Sequence, residues 1–375
     1  MKSGAPDFAR YRLIACLGPG GVGKTTVSAA LAVSGAARGR SVDVMTVDPA
    51  PRLLDALGLD GNASEPRTVS LKALRPVPAA AIRHARLRAL KLDPKETFDS
   101  IVRQHAPSAA ARDAILSNRI YRNLSSALAG VGDYMAMEKL LELASQPDTD
   151  LVVLDTPPAA EALDFLDAPR RLLELLNSRA VTLLGAPAGL LRQFRLVDLA
   201  ARAVLSAFDR VTGLNLLADV QAFVSGFEGM YEGFAERAKR ADALLRAGDT
   251  ALVLVTTPET GRIAQAQEFL QALQKAGLQV NAIVVNRAMP ALPDAKEIAA
   301  AKLSAALKRK LRRNLADQVA LKERETRSLG VLSRVMPAQA QLLLSPELDH
   351  EPRSVTDLGV IAANLRPAPR NSLVP

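Results

Sequence analysis

The chain has 375 residues, 49% hydrophobic and 23% charged, enough for a large core divided among two or three domain-sized units. Its single cysteine excludes an internal disulfide framework and a cysteine-based zinc site within one chain, and a reducing, cytoplasmic setting is expected. The net charge of +9 permits attraction to nucleic acid or an anionic membrane without demanding it, because much of the excess is arginine spread through helical segments.

No apolar run reaches the ~18 residues that a spanning helix needs, and Met1–Asp7 carry no apolar signal region. In chain order, the apolar run Leu13–Leu17 predicts a first strand. Gly18-Pro19-Gly20-Gly21-Val22-Gly23-Lys24-Thr25-Thr26 follows and fits the pattern G-x-x-x-x-G-K-[ST]. An alanine-rich pattern over Val27–Ala37 then predicts a helix. Strand, glycine loop, helix is the context of a phosphate-binding loop. Glycines let the backbone wrap an anion, and successive N–H groups at the helix N-terminus point at it. Gly20, Gly21, Val22, Gly23, Lys24, Thr25 and Thr26 are therefore the candidate cradle for ATP. Lys24 is placed to reach the β- and γ-phosphates, and the Thr25 hydroxyl to ligate Mg2+.

Further strands are predicted at Val42–Val47, Leu151–Leu154, Ala251–Val255 and Val280–Val285, with a weaker one at Gly330–Val335. Continuous apolar runs that alternate with helical patterns argue a doubly wound, mostly parallel α/β sheet. Gly18, Asp48, Asp155 and Asn286 all fall at strand C-termini, so separate segments converge on one crevice. Asp48, presented by Pro49, can orient or deprotonate the attacking water beside a γ-phosphate. Leu151-Val152-Val153-Leu154-Asp155 is the apolar-run-then-Asp pattern whose carboxylate holds Mg2+. Thr25, Asp48 and Asp155 form the candidate metal set. The Asn286 side-chain amide offers a donor and an acceptor that suit an adenine edge, or else it caps a strand turn. Cys16 reads as a small buried hydrophobe.

Two stretches lack strand runs, from about Ile82 to Leu143 and from about Leu190 to Ala247. The second holds six of the thirteen aromatic residues, and Phe223, Phe227, Met230, Tyr231 and Phe234 recur at steps of three or four. That stripe fits a helical core or a groove for an apolar ligand. The expected division is an ATPase domain over 1–345, with core segments near 11–81, 148–189 and 248–345. Helical insertions at 82–147 and 190–247 form a subdomain, and 346–375 is expected to be a flexible, proline-containing tail. The basic cluster Lys308-Arg309-Lys310 with Arg312 and Arg313 reads as a solvated helix face.

Taken together, these residues resemble the arsenical-pump ATPase family, which includes the bacterial arsenite-pump ATPase and the eukaryotic ATPase that targets tail-anchored membrane proteins. The resemblance rests on Gly18–Thr26, on Val47–Ala50 with Leu53–Asp55, on Leu154–Pro158 with Ala162–Leu163 and Phe165–Leu166, and on Val284–Arg287. It covers roughly 11 to 345 and implies a dimer of P-loop subunits carrying ATP and Mg2+, with a helical subdomain that binds an apolar client. By it, Asp48 resembles the water-positioning residue of a first switch and Asp155–Pro158 a second switch. Asn286 and Pro337 resemble adenine contacts.

Pro19 stands where such proteins usually carry a lysine that reaches across the dimer; Arg52 is a candidate replacement. The clustered cysteines that bind arsenite are absent, so arsenite and antimonite are not expected ligands. The partner is expected to be a second copy or a paralogous ATPase, with no nucleic acid. Two other readings remain open: a partition- or septum-type positioning ATPase on DNA or membrane, and a weakly hydrolysing partner subunit.

Overall fold

The computed structural model describes residues 8–61, 63–74, 85–118, 121, 131–177 and 230–368. Among these residues, nine strands form one sheet in the order β3-β4-β2-β5-β1-β6-β7-β8-β9. They are β1 (Leu13–Leu17), β2 (Ser41–Thr46), β3 (Arg67–Thr68), β4 (Arg86–Lys91), β5 (Leu151–Asp155), β6 (Thr250–Thr256), β7 (Val280–Ala288), β8 (Gln341–Pro346) and β9 (Arg366–Pro367). All pairings are parallel except the two short edge strands, β3 on β4 and β9 on β8. Alternation explains the unbroken apolar runs. Ile14, Cys16, Val42, Val44, Leu151 and Val153 pack in one cluster, and the intervening Leu13, Ala15, Leu17, Met45, Val152 and Leu154 are buried as well.

The chain divides into two compact units. The first contains the sheet and comprises 1–91, 146–163 and 248–375. Its helix α1 (Lys24–Ala37) is almost wholly buried, and its short helix α2 is Arg52–Ala56. The second unit, 92–145 and 164–247, is helical where described. It contains α3 (Pro94–His105), α4 (Ala109–Ser117), α5 (Val131–Ala144) and α7 (Tyr231–Leu245). Helix α6 (Ala159–Leu176) begins in the first unit and its later residues belong to the second. The helical unit has its own core of Phe98, Ile101, Val102, Tyr121, Tyr134, Met135, Met230 and Phe234. Within it, Arg237 pairs with the buried Glu138 at 2.9 Å and lies over the Phe234 ring. Met230 and Phe234 are thus core residues and Tyr231 is half-buried against them. Phe223 and Phe227 lie outside the described residues.

Three expectations are corrected. Gly330–Val335 is not a strand; it is the last part of α10 (Ala305–Val335), which follows α8 (Thr260–Lys275) and α9 (Ala295–Ala300). Leu329, Gly330 and Leu332 are buried while Val331 and Val335 are exposed, which is helical rather than alternating burial. The strand lies further on, at β8. Second, β4 falls inside the stretch from Ile82 that lacked a strand signal. Arg86 and Arg88 interrupt its apolar run, but Arg88 pairs with Asp43 of β2 at 2.6 Å, and Arg86 pairs with Asp148.

Third, residues up to Ala368 of the expected flexible tail are built into the fold. Ser354 caps α11 (Val355–Ala363), whose Leu358 and Ile361 join the core cluster that contains α1. β9 then closes the sheet edge.

Candidate functional site

The site grows from strand register. Asp155 pairs with Cys16 of β1 on one side and with Thr46 of β2 on the other. This places its carboxylate at the C-terminal ends of three adjacent strands, directly under the loop that leaves β1. Thr25 Oγ1 donates to Asp155 Oδ2 at 2.8 Å, and Thr46 Oγ1 donates to the same oxygen at 2.9 Å. Asp155 is 1% exposed, and its Oδ1 has no hydrogen-bond partner among the described residues. Burial pushes its carboxyl up to about 6, opposed by the two threonine hydroxyls and by Lys24.

The loop itself is held by glycine geometry at two points. Gly18 has φ +144°, and a Cβ there would sit 2.1 Å from the Val255 carbonyl oxygen. Gly23 has φ +89°, and a Cβ would sit 2.2 Å from Asn286 Nδ2. Neither position has room for a side chain, so the loop packs against β6 and β7 as bare backbone. Gly23 then starts α1, whose first turn carries no acidic residue. That leaves an N-terminus suited to an anion.

Lys24 is buried, and its Nζ donates to the Pro19 carbonyl at 3.1 Å. Desolvation lowers its pKa, while Asp155 and Asp48 pull it back up. Asp48 Oδ1 accepts from the Ala50 amide at 2.9 Å, and the Asp48 amide donates to Thr46 Oγ1 at 3.2 Å. Thr46 therefore links the two acidic segments through one hydroxyl. Thr156 Oγ1 donates to the Cys16 carbonyl at 2.7 Å, which pins the segment after β5. Cys16 is a buried thiol, its pKa pushed up to about 12 by desolvation.

A cavity of about 950 Å3 opens over these groups. It is lined by Gly20, Gly21 and Gly23 to Thr26 of the loop, by Asp48 and by Thr156 and Pro158. The volume is ample for a nucleoside triphosphate. Of the residues expected at the site, Lys24, Thr25, Thr26, Asp48, Gly20, Gly21 and Gly23 line it together, with Val22 and Asp155 buried beneath.

Asn286 and Pro337 are placed differently. Asn286 Nδ2 donates to the Val22 carbonyl at 3.0 Å, so the side chain braces the loop from below and is not in the cavity wall. Pro337 precedes β8, whose Gln341 pairs with Ala282 and whose Pro346 pairs with Ala288. The crevice is at the Pro346 end. Pro337 is at the other end, about 15 Å or more away at the usual rise per strand residue.

Sequence reasoning quoted Asp55 and Arg287 only for the family resemblance, with no site role, and missed Glu351, Pro352 and Arg353; all five line the cavity with Arg52. Arg287 is the one non-glycine residue with positive φ among those described, at 56°, where β7 is irregular. Such a conformation costs of order 1 kcal/mol and is tolerated where surrounding structure imposes it. Glu351–Arg353 carried one local signal. Ser354 and Asp357 have the spacing of a helix cap ahead of apolar Val355, Leu358 and Ile361, which points to a docked helix.

The sequence profile of the anion-transporting ATPases matches residues 11–322. The chain belongs to this family of ATPases. An uncharacterized protein of Streptomyces coelicolor is 29% identical over 283 residues, which is 74% of this chain and 63% of that protein. The ATPase GET3 of Malassezia globosa is 24% identical over 281 residues, 75% of this chain and 74% of its own length. An ATPase ASNA1 homolog of Babesia bovis is 25% identical over 272 residues, 72% of this chain and 65% of its own length. The nine-stranded, mostly parallel sheet with its P-loop is the fold expected of this family. No helix among the described residues is long and apolar enough to cross a membrane.

Hard oxygen donors are what Mg2+ prefers, and a P-loop Mg2+ completes its shell with phosphate oxygens and water. The Thr25 hydroxyl and the buried Asp155 carboxylate, with Oδ1 unpartnered, fit that ion.

Proposed function

We propose that this chain is a Mg2+-dependent ATP hydrolase that works in the cytoplasm as a dimer, with itself or with a paralogue, and couples nucleotide state to an apolar client. The observation that carries the hydrolase reading is the meeting of Thr25 and Thr46 on buried Asp155, beneath a cavity walled by the P-loop and Asp48.

Bound Mg2+ would neutralise charge on the phosphate groups. Thr25 and Asp155 are the residues that would hold it. Lys24 exchanges the Pro19 carbonyl for the β- and γ-phosphates, a stronger, charge-assisted contact. The amide groups at the start of α1 bind the remaining phosphate oxygens. Asp48 has Oδ1 fixed by the Ala50 amide, which leaves Oδ2 to orient water and accept its proton. Pro19 supplies no cation, but Arg52, Arg287 and Arg353 line the same cavity and bring positive charge from the same subunit. The dimer and the client rest on the family resemblance and on the separate helical unit.

The test is steady-state ATP hydrolysis with and without a Mg2+ chelator, for the wild type and Asp48→Asn. Hydrolysis should need Mg2+, and the variant should lose about two to four decades in kcat, the scale of a general base, with ATP still bound. Full turnover by Asp48→Asn would contradict the reading.

A further inference from the structure

The basic cluster of α10 is not used by the nucleotide site. Between 302 and 320 the chain has six basic residues, Lys302, Lys308, Arg309, Lys310, Arg312 and Arg313, against the single acid Asp317. Nearly all of this segment is exposed or half-buried, in contrast to the second half of α10, where Glu325, Leu329, Gly330 and Leu332 are buried.

The same segment exposes large apolar side chains. Leu303, Leu307, Val319 and Leu321 are 40%, 42%, 40% and 48% exposed. At about 100° per residue, Leu307, Leu311, Leu315 and Val319 succeed one another along one side of the helix. Leu311 and Leu315 are half-buried. Arg309 and Arg313 fall on the opposite side, Arg312 and Lys310 at its two borders, and Lys308 within the stripe. Lys308 hydrogen-bonds the Ala299 carbonyl at 2.6 Å, so its ammonium is partly engaged.

Charge decides what this surface fits. A second copy would bring the same cations to a two-fold contact, and like charges would repel. A nucleic acid duplex would satisfy the cations but leave the leucines and Val319 in water. An anionic phospholipid surface takes both faces at once: apolar side chains enter the acyl boundary while arginines meet the headgroups.

We propose that the first half of α10, from Ala305 to Leu321, is an in-plane docking surface for an anionic phospholipid bilayer. It acts independently of the hydrolase reading, because none of these residues lines the nucleotide cavity.

The experiment is co-sedimentation of the full chain with phosphatidylcholine vesicles, alone or containing phosphatidylglycerol, over a salt series. Binding should require the anionic lipid and weaken with salt. Arg309→Gln with Arg313→Gln should weaken it roughly thirty-fold, about five-fold for each cation lost at the surface. Leu307→Gln should also weaken binding while keeping its salt dependence. Circular dichroism melting of each variant should match the wild type, since these side chains are at the surface. Three results would overturn the proposal: no binding to anionic vesicles, equal binding to neutral ones, or full binding by the double variant. Salt-dependent binding to a DNA duplex without vesicle binding would assign the patch to nucleic acid instead.

Discussion

Thr46→Val tests the site where its parts are most tightly coupled. Valine keeps the shape and the strand preference of threonine but has no hydroxyl. Two hydrogen bonds are lost: the one to Asp155 Oδ2 at 2.9 Å and the one from the Asp48 amide at 3.2 Å. The first has a charged acceptor and contributes about 1.5–3 kcal/mol; the second about 0.5–1.5 kcal/mol. Thr46 is fully buried, so bulk water does not replace the hydroxyl. Asp155, with Oδ1 already unpartnered, keeps Thr25 alone. The expected loss is about 2–4 kcal/mol of stability in urea unfolding without nucleotide. Turnover should fall about ten-fold or more, because Asp48 loses the contact that fixes its backbone. Thr46→Ser is the control: it restores the hydroxyl at the cost of one methyl, about 1 kcal/mol. A valine variant within about 0.5 kcal/mol of wild type and with unchanged turnover would refute the coupling through Thr46.

Lys24→Ala should abolish tight ATP binding in calorimetry, since the phosphates lose their main cation; wild-type affinity would remove the P-loop assignment. Arg287→Gly should relieve the positive φ and leave the melting temperature equal or higher, yet weaken ATP about ten- to hundred-fold, as for one charged hydrogen bond. Unchanged ATP affinity would show that Arg287 only lines the cavity. Leu358→Ala should cost about 2–5 kcal/mol as a core truncation, because this α11 side chain is fully buried. A neutral effect in urea unfolding would mean that the C-terminal helix contributes little to the fold.

The candidate site was legible where local chemistry is distinctive. Gly18 to Thr25 announces itself because only a glycine loop, a lysine and a hydroxyl in that order make a phosphate cradle. β1, β5 and β6 were visible as continuous apolar runs, and Asp155 as the charge that ends one of them. β4 was not, because its arginines read as solvent-facing until Asp43 and Asp148 are found beside them. Gly330–Val335 misled because Val331, Leu332 and Val335 in so short a window are ambiguous until the 31-residue helix that contains them is seen.

The sequence by itself therefore determined the fold class and named the loop, the lysine, the threonine and the aspartates of the candidate site, since each is encoded within a few neighbouring residues. Only the tertiary structure decided who touches whom across long separations. Asn286 meets Val22, 264 positions away, and so braces the loop from beneath. Thr46 meets Asp155, 109 positions away, through strand register. Arg353 reaches the cavity because α11 packs in the core that holds α1. Such contacts are set by burial and by the pairing of distant strands, which no local pattern of residues specifies.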